Sequence, residues 1–200
     1  RIASMTKPIT SVALMMLWEE GKFQLNDPVE KFLPEFKNQK VNTNSDASNK
    51  TGQLVATKRP VTIRDMLPHT AGMANSYRGN IEYADEVANV RPNDTTETFV
   101  KRLAAMPLNY QPGEEWQYSH ATDVVGRLVE VISGQPFQDY LKQKVLMPLG
   151  MVDTDFHVPA DKHERFAANY QAGPGGKLEL IDDPGKSRYL APRAVNSGGG

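Results

Sequence analysis

Helical periodicity broken by proline and glycine stops, with only short extended stretches between, predicts an α+β chain that is mainly helical. Three observations carry this. Residues 12–18 form an unbroken apolar run. Apolar residues then recur at three- and four-residue spacing through Phe99, Val100, Leu103 and Ala104, through Val124, Val125, Leu128, Val129 and Ile132, and through Phe137, Tyr140, Leu141 and Val145. That interval lines one face of a helix. Strand-like stretches are few: a ragged hairpin within residues 37–59, residues 60–63 and the tail after Met151.

Taken in order, Ser4 is a suitable N-cap, Pro8 sits where a missing N–H costs little, and Gly21 supplies a left-handed stop. Because Lys7 precedes Pro8, the first turn is expected to be distorted. The apolar run lacks a polar face, which predicts a helix buried all round. Asn26-Asp27-Pro28 opens a short helix through residues 29–33 that Pro34 closes. Residues 37–59 are polar and read as an exposed, ragged hairpin leading into residues 60–63. One helical turn follows over 63–67, then Pro68-His69-Thr70-Ala71-Gly72-Met73. A short helix is expected near 80–89. Asp94-x-x-Glu97 resembles a capping box before the stripe that ends at Pro107. Ser119 is expected to cap the strongest amphipathic helix, which Gly134 closes, and Pro136 starts the next, ended by Pro148 and Gly150. Gly173-Pro174-Gly175-Gly176 marks a hairpin tip or loop.

Composition narrows the function. Net charge is −1, so there is no electrostatic case for nucleic acid or an anionic membrane. Cysteine is absent, which excludes disulfide and thiolate chemistry and leaves the compartment open. No segment reaches membrane-spanning length. The chain starts on Arg1 and stops on Ser197-Gly198-Gly199-Gly200, so both ends are expected to be cut from a longer protein. The 200 residues are expected to be inactive and marginally stable alone.

The chemistry-bearing pattern is Ser4-x-x-Lys7. Residues three apart share a helix face, so hydroxyl and amine can meet. A serine hydroxyl is a weak nucleophile until a neighbouring base takes its proton. A lysine serves as that base only when neutral, a state that burial and the positive end of a helix both favour. Only Ser4 among nine serines has lysine at this spacing. Even so, a chain of this length carries on the order of one such pattern by chance, so the motif needs support from elsewhere.

That support is a resemblance running through the chain. ASMTKPIT with its apolar helix, EEGKFQLNDPVEKFLPEF, RPVTIRDMLPHTAGM, QPGEEWQYSHATDVVGRLVEVISGQPF and PLGMVDTDF occur in order. Together they resemble the serine β-lactamase-related hydrolases: class C β-lactamases, D,D-peptidases and family VIII carboxylesterases, with the wording around ATDVVGRLVEVISG closest to the esterase-like branch. The resemblance implies a β-lactamase/penicillin-binding-protein-like α+β fold: an antiparallel sheet flanked by helices, plus a mainly helical domain. On that reading residues 1–200 form a partial domain. Residues 1–21 carry the nucleophile helix, 22–170 a mainly helical region with the polar excursion 37–59, and 171–200 the start of a return to the α/β part. The closing SGGG resembles the start of a further helix.

The family pattern makes Ser4, Lys7 and Tyr118 the catalytic set, Tyr118 moving protons with the lysine. The family's third motif, a Lys-Thr-Gly or His-Thr-Gly-like strand, is not found after the second. Lys50-Thr51-Gly52 lies between the first two motifs and reads as a turn. The second motif here is Tyr118-Ser119-His120, with histidine where β-lactamases carry asparagine, which weakens a β-lactam reading. His120 is expected to face the substrate. Trp116, two residues before Tyr118 on an extended segment, faces the same side and either walls the site or fills core. His69 is read as a loop tie, His157 and His163 as non-ligands. No metal or cofactor is expected. The expected activity is a serine hydrolase working through an acyl-enzyme, first an esterase on small short-chain acyl esters. A β-lactamase or D,D-peptidase, with a small-molecule amide as substrate, and a non-catalytic acyl-binding homologue remain as alternatives. Oligomeric state and localisation stay unassigned.

Overall fold

The computed structural model describes residues 1–43, 53–73, 91, 94–192 and 197–199. The chain divides into two units, Arg1–Val152 with Ala194–Gly200, and Asp153–Arg193.

The first unit is built on helix α1, Thr6–Glu19. Its entry differs from the expected one. A single 3-10 turn, Ala3–Met5, precedes it, with Ala3 at φ +44°. Met5 is the N-cap and no side chain caps the helix, so Ser4 is not a cap and its hydroxyl is left for other work. Lys7 lies within the α-helix despite preceding Pro8, so the distortion falls earlier than expected, on Ala3–Met5. At the other end Gly21, at φ +71°, closes the helix with Gly21 N–H on the Trp18 carbonyl and Lys22 N–H on the Leu17 carbonyl, the paired bonds of a Schellman stop. Thr6, Thr10, Ala13, Leu14 and Leu17 are buried, while Val12 is 50% exposed. The helix is therefore buried along one stripe within these residues and not all round.

The short helix expected over 29–33 is instead two 3-10 turns, Val29–Lys31 and Pro34–Phe36. Prolines at 28 and 34 leave too few residues for an i→i−4 ladder. Strands β1 (Lys40–Asn42) and β2 (Leu54–Ala56) pair antiparallel with Val41 opposite Val55. The excursion is less exposed than expected, because Val41 and Asn42 are buried. Asn42 N–H donates to the Leu108 carbonyl at 2.8 Å and Leu108 N–H to the Lys40 carbonyl at 2.7 Å. Lys50-Thr51-Gly52 and the helix expected near 80–89 lie outside the described residues.

Residues 60–63 do not form a strand; Thr62 makes only an isolated bridge to Pro28. Thr62 instead caps α2 (Ile63–Met66) in a reciprocal box with Asp65, whose carboxylate also takes both Arg59 nitrogens at 2.6 and 2.8 Å. The next described helix, α3 (Thr96–Ala104), is capped by Thr95 with Thr98 and not by Asp94 with Glu97. Asp94 is turned onto Arg102. Its stripe Phe99, Val100, Leu103 and Ala104 is buried as expected.

Helix α4 (Ala121–Ser133) packs across α1, and Gly134 closes it at φ +71°. Its N-cap is His120, which makes no side-chain capping bond, although Ser119 Oγ still accepts from Ala121 N–H at 3.4 Å. Val124, Val125, Leu128 and Val129 are buried; Ile132 is only half-buried. Helix α5 (Phe137–Leu141) continues as a wider π-type turn, Lys142–Leu146, with Phe137, Tyr140, Leu141 and Val145 inside. Glu130 ties three helices: it accepts from the Thr96 hydroxyl, from Arg127 at 3.0 Å and from Phe137 N–H at 3.0 Å.

In the second unit β3 (Asn169–Ala172) and β4 (Leu178–Asp182) pair antiparallel around the tip Pro174–Gly176. This is the hairpin expected from Gly173-Pro174-Gly175-Gly176.

The Arg59–Asp65–Thr62 knot sets a pH dependence. Burial alone raises the Asp65 carboxyl, but Arg59 and the Thr62 donors outweigh it and hold it below the usual range. Its contribution is present above the unfolded carboxyl's pKa of about 4 and is lost as pH falls through the lower folded value. Asp65→Asn should cost about 2 kcal/mol near neutral pH. Urea unfolding should show that difference shrinking below about pH 4; a difference that stays constant into acid contradicts the assignment.

Candidate active site

The 3-10 turn before α1 and the first turn of α1 place Ser4 and Lys7 on one face. Lys7 Nζ donates to Ser4 Oγ at 3.1 Å. From a segment 114 residues away, Tyr118 brings its hydroxyl within 2.7 Å of the same Oγ. Lys7 Nζ also lies 4.6 Å over the Tyr118 ring and donates to the Gly198 carbonyl. Residues far apart in sequence thus converge on one hydroxyl.

Tyr118 is held by His69. The two rings lie 4.9 Å apart, tilted by 30°. Gln117 N–H donates to the His69 carbonyl at 3.0 Å, and Ser119 N–H donates to His69 Nδ1 at 3.3 Å. Bonds on both flanks of Tyr118 therefore end on one histidine. His69 itself is at φ +60°, and Tyr110 Oη donates to its carbonyl at 3.2 Å. A histidine tolerates that left-handed backbone only where its surroundings over-determine it. Burial first, then the nearby Lys7 charge, lowers the His69 pKa. A neutral imidazole can accept at Nδ1, which matches the bond from Ser119 N–H. Its reading as a loop tie fits this geometry, and the loop it ties is the one that carries Tyr118.

Trp116 is 66% exposed and meets the His69 ring edge-on at 6.4 Å. It does not fill core. Trp116 and Tyr118 both reach His69, as alternation on an extended segment expects. His120 turns onto α4: Nδ1 lies 2.9 Å from Asp123 Oδ2, and its ring stands edge-on to Phe99 at 5.3 Å.

Two participants escaped the sequence reading. Asp123, on the first turn of α4, is buried and accepts from Gly198 N–H at 3.0 Å. Residues 197–199 form a turn lodged against α1 and α4. There Thr10 donates to the Ser197 carbonyl at 2.7 Å, and Ser197 Oγ donates to the Thr122 carbonyl at 3.2 Å. A Cβ on Gly126 would fall 2.2 Å from Ser197 Oγ, so glycine at that point of α4 makes room for the turn. An apolar stripe interrupted by Thr122, Asp123 and Gly126 was the available signal.

The electrostatics set Tyr118 apart from Tyr110 and Tyr140. Burial pushes the Tyr118 hydroxyl up, but hydrogen bonds with Lys7 and Ser4 and the Lys7 charge outweigh it, leaving the pKa below that of an ordinary tyrosine. Tyr110 is pushed up to about 12, chiefly by burial, and Tyr140 is raised by burial and by Glu20. Once ionised, the Tyr118 oxygen, 2.7 Å from the serine hydroxyl, can accept its proton and leave a nucleophile. Among the described residues no group of three His, Cys, Asp or Glu converges as metal ligands, and no helix is long and apolar enough to cross a membrane.

The family model described as Beta-lactamase matches residues 1–200. Protein Rv1367c of Mycobacterium tuberculosis is 36% identical over 200 residues, covering 100% of this chain and 49% of its own. Esterase EstB of Burkholderia gladioli is 37% identical over 190 residues, covering 91% of this chain and 44% of its own. Among solved structures, EstCE1, described as a hydrolase with promiscuous acyltransferase activity, superposes with a TM-score of 0.76 at 28% identity, covering 98% of this chain and 53% of that one. The chain spans about half the length of the curated relatives it matches.

The lowered Tyr118 pKa has a direct readout. Tyrosinate absorbance during alkaline titration should show one early component that vanishes in Tyr118→Phe and moves to higher pH in Lys7→Met. An early component that persists in Tyr118→Phe assigns it to another tyrosine.

Proposed function

The chain belongs to the Beta-lactamase family, and from that premise we propose that it carries the nucleophile and proton-transfer residues of a serine hydrolase, a carboxylesterase acting on short acyl esters. The observation that supports this best is the convergence of Lys7 Nζ and Tyr118 Oη on Ser4 Oγ, at 3.1 and 2.7 Å.

In this reading Ser4 Oγ attacks the acyl carbonyl carbon while its proton passes to Tyr118. The Ser4 N–H, at the start of the helix, donates to the oxyanion. Tyr118 then returns the proton to the departing alkoxide, leaving Ser4 acylated. Water attacks the acyl-enzyme, loses a proton to Tyr118, and the acid leaves as Ser4 is reprotonated. Lys7 shares this role with Tyr118: its Nζ has Ser4 Oγ, the Gly198 carbonyl and Tyr118 around it, close enough to move the proton together with the phenol.

His120 stands where β-lactamases of the resembling family carry asparagine. Its Nδ1 is committed to Asp123, and it offers no carboxamide to an acylamide side chain. That favours an ester over a β-lactam or peptide. With Trp116 exposed beside His69, His120 and Trp116 are the residues proposed to contact substrate. EstCE1's described acyltransferase activity supports a second reading, in which an alcohol replaces water as acyl acceptor.

The test uses the full-length protein. kcat/KM should be larger for p-nitrophenyl butyrate than for a chromogenic cephalosporin, and Ser4→Ala should lower ester turnover by at least about a thousandfold. Near-full ester hydrolysis in Ser4→Ala removes Ser4 from the mechanism. Dominant cephalosporin turnover reverses the His120 argument.

A further inference from the structure

Lys7 reaches beyond its two site partners to a backbone carbonyl, that of Gly198, from residues 197–199 at the far end of the chain. A carbonyl on a glycine turn is useful to a lysine only if the turn is held still. What holds the other side of this residue is Asp123, which accepts from Gly198 N–H at 3.0 Å through Oδ1. The same carboxylate holds His120 Nδ1 at 2.9 Å through Oδ2, and its Oδ1 lies 3.5 Å from Ser197 Oγ. Asp123 is only 4% exposed. An acidic residue in the first turn of a helix is ordinary, because it complements the dipole. A buried one, with both oxygens committed to partners outside the helix ladder, is doing something more specific.

The fit between the two is close. A Cβ on Gly198 would sit 3.0 Å from Asp123 Oδ2, so the turn approaches the carboxylate more closely than most side chains allow. Thr10 on α1 holds the preceding carbonyl at 2.7 Å. Gly198 is thus fixed by its N–H on α4 and presents its carbonyl to Lys7 on α1.

We propose that Asp123 is a positioning residue for the acyl-transfer site: by holding the Gly198 N–H it aims the Gly198 carbonyl at Lys7 Nζ and keeps that amine between Ser4 and Tyr118. It does not touch the reacting atoms. The inference rests on the acyl-enzyme reading, since Lys7 needs positioning only if Ser4 reacts. A shift of an ångström in a group that organises the nucleophile is enough to cost as much as a hundredfold in rate.

The carboxylate's anchoring role separates from its charge and from packing. Asn at this position keeps an oxygen for Gly198 N–H, and its NH2 can donate to the other tautomer of His120. Ala removes the anchor. In the full-length protein, kcat and KM for p-nitrophenyl butyrate should be measured beside thermal melting and the rate of Ser4 labelling by a fluorophosphonate. Asp123→Ala should lower kcat about tenfold to a hundredfold with KM within about twofold, and slow labelling in parallel. Asp123→Asn should restore kcat to within about threefold of the parent. Should Asp123→Ala fail to fold, Gly198→Ala perturbs the same turn and should lower kcat about tenfold without changing the melting temperature. The proposal is overturned if Asp123→Ala or folded Gly198→Ala keeps full kcat, or if Asp123→Asn falls as far as Asp123→Ala. A parent protein whose Ser4 does not label overturns the acyl-enzyme reading itself. A parent that labels while all variants match it overturns only the role of Asp123.

Discussion

The half-buried amine of Lys7, at the first turn of α1, is met on several sides by acceptors, and the first unit is arranged to supply them. The helix N-terminus brings no carbonyls of its own toward that amine; it presents N–H groups and positive potential. The acceptors come from elsewhere: Ser4 from the 3-10 turn, Tyr118 from an extended segment, and the Gly198 carbonyl from the far end of the chain. Each needs its own support. Ala3 at φ +44° shapes the turn that offers Ser4, His69 at φ +60° holds the segment that offers Tyr118, and α4 holds Gly198. Both non-glycine residues with left-handed backbone near the site carry a site residue, which is where backbone strain tends to be kept.

The rest of the unit is joined by buried and half-buried carboxylates as well as by apolar stripes. Asp65 closes the α2 cap and holds Arg59. Glu130 joins α3, α4 and α5, and Asp123 joins α4 to the terminal turn. Glu130 and Asp123 each take at least one donor from a distant stretch of chain, whereas Asp65 closes a local knot over residues 59–65. A carboxylate so satisfied fixes the relative position of elements more sharply than an apolar contact, which slides at little cost, because breaking it leaves a buried charge unpaired.

Membership in the Beta-lactamase family does not by itself choose a substrate. What bears on the choice is the local departure at His120 and what the fold does with it. The ring is drawn back onto Asp123 and packed on Phe99, so it is a fixed wall and not a mobile arm. Trp116, exposed beside His69, adds an apolar edge. In the proposed esterase reading, His120 and Trp116 are the two residues that would meet the substrate.

By itself the sequence determined the elements with strong local codes. The stripes of α3, α4 and α5, the glycine stops at 21 and 134 and the hairpin around Pro174–Gly176 were legible because periodicity and turn chemistry act over a few residues. Ser4, Lys7 and Tyr118 were legible as a set only through resemblance; spacing alone paired the first two. Caps were misplaced by one residue, at Thr95 and at His120, because several polar residues compete for the same N–H groups. Only the tertiary structure decided that Ser4 is not a cap, that β1 is docked on Leu108, and that Asp123 reaches Gly198. Those contacts join residues with no local signal for one another. A buried carboxylate is recognisable as a tie only once the donor it meets, 75 residues away, has been folded against it.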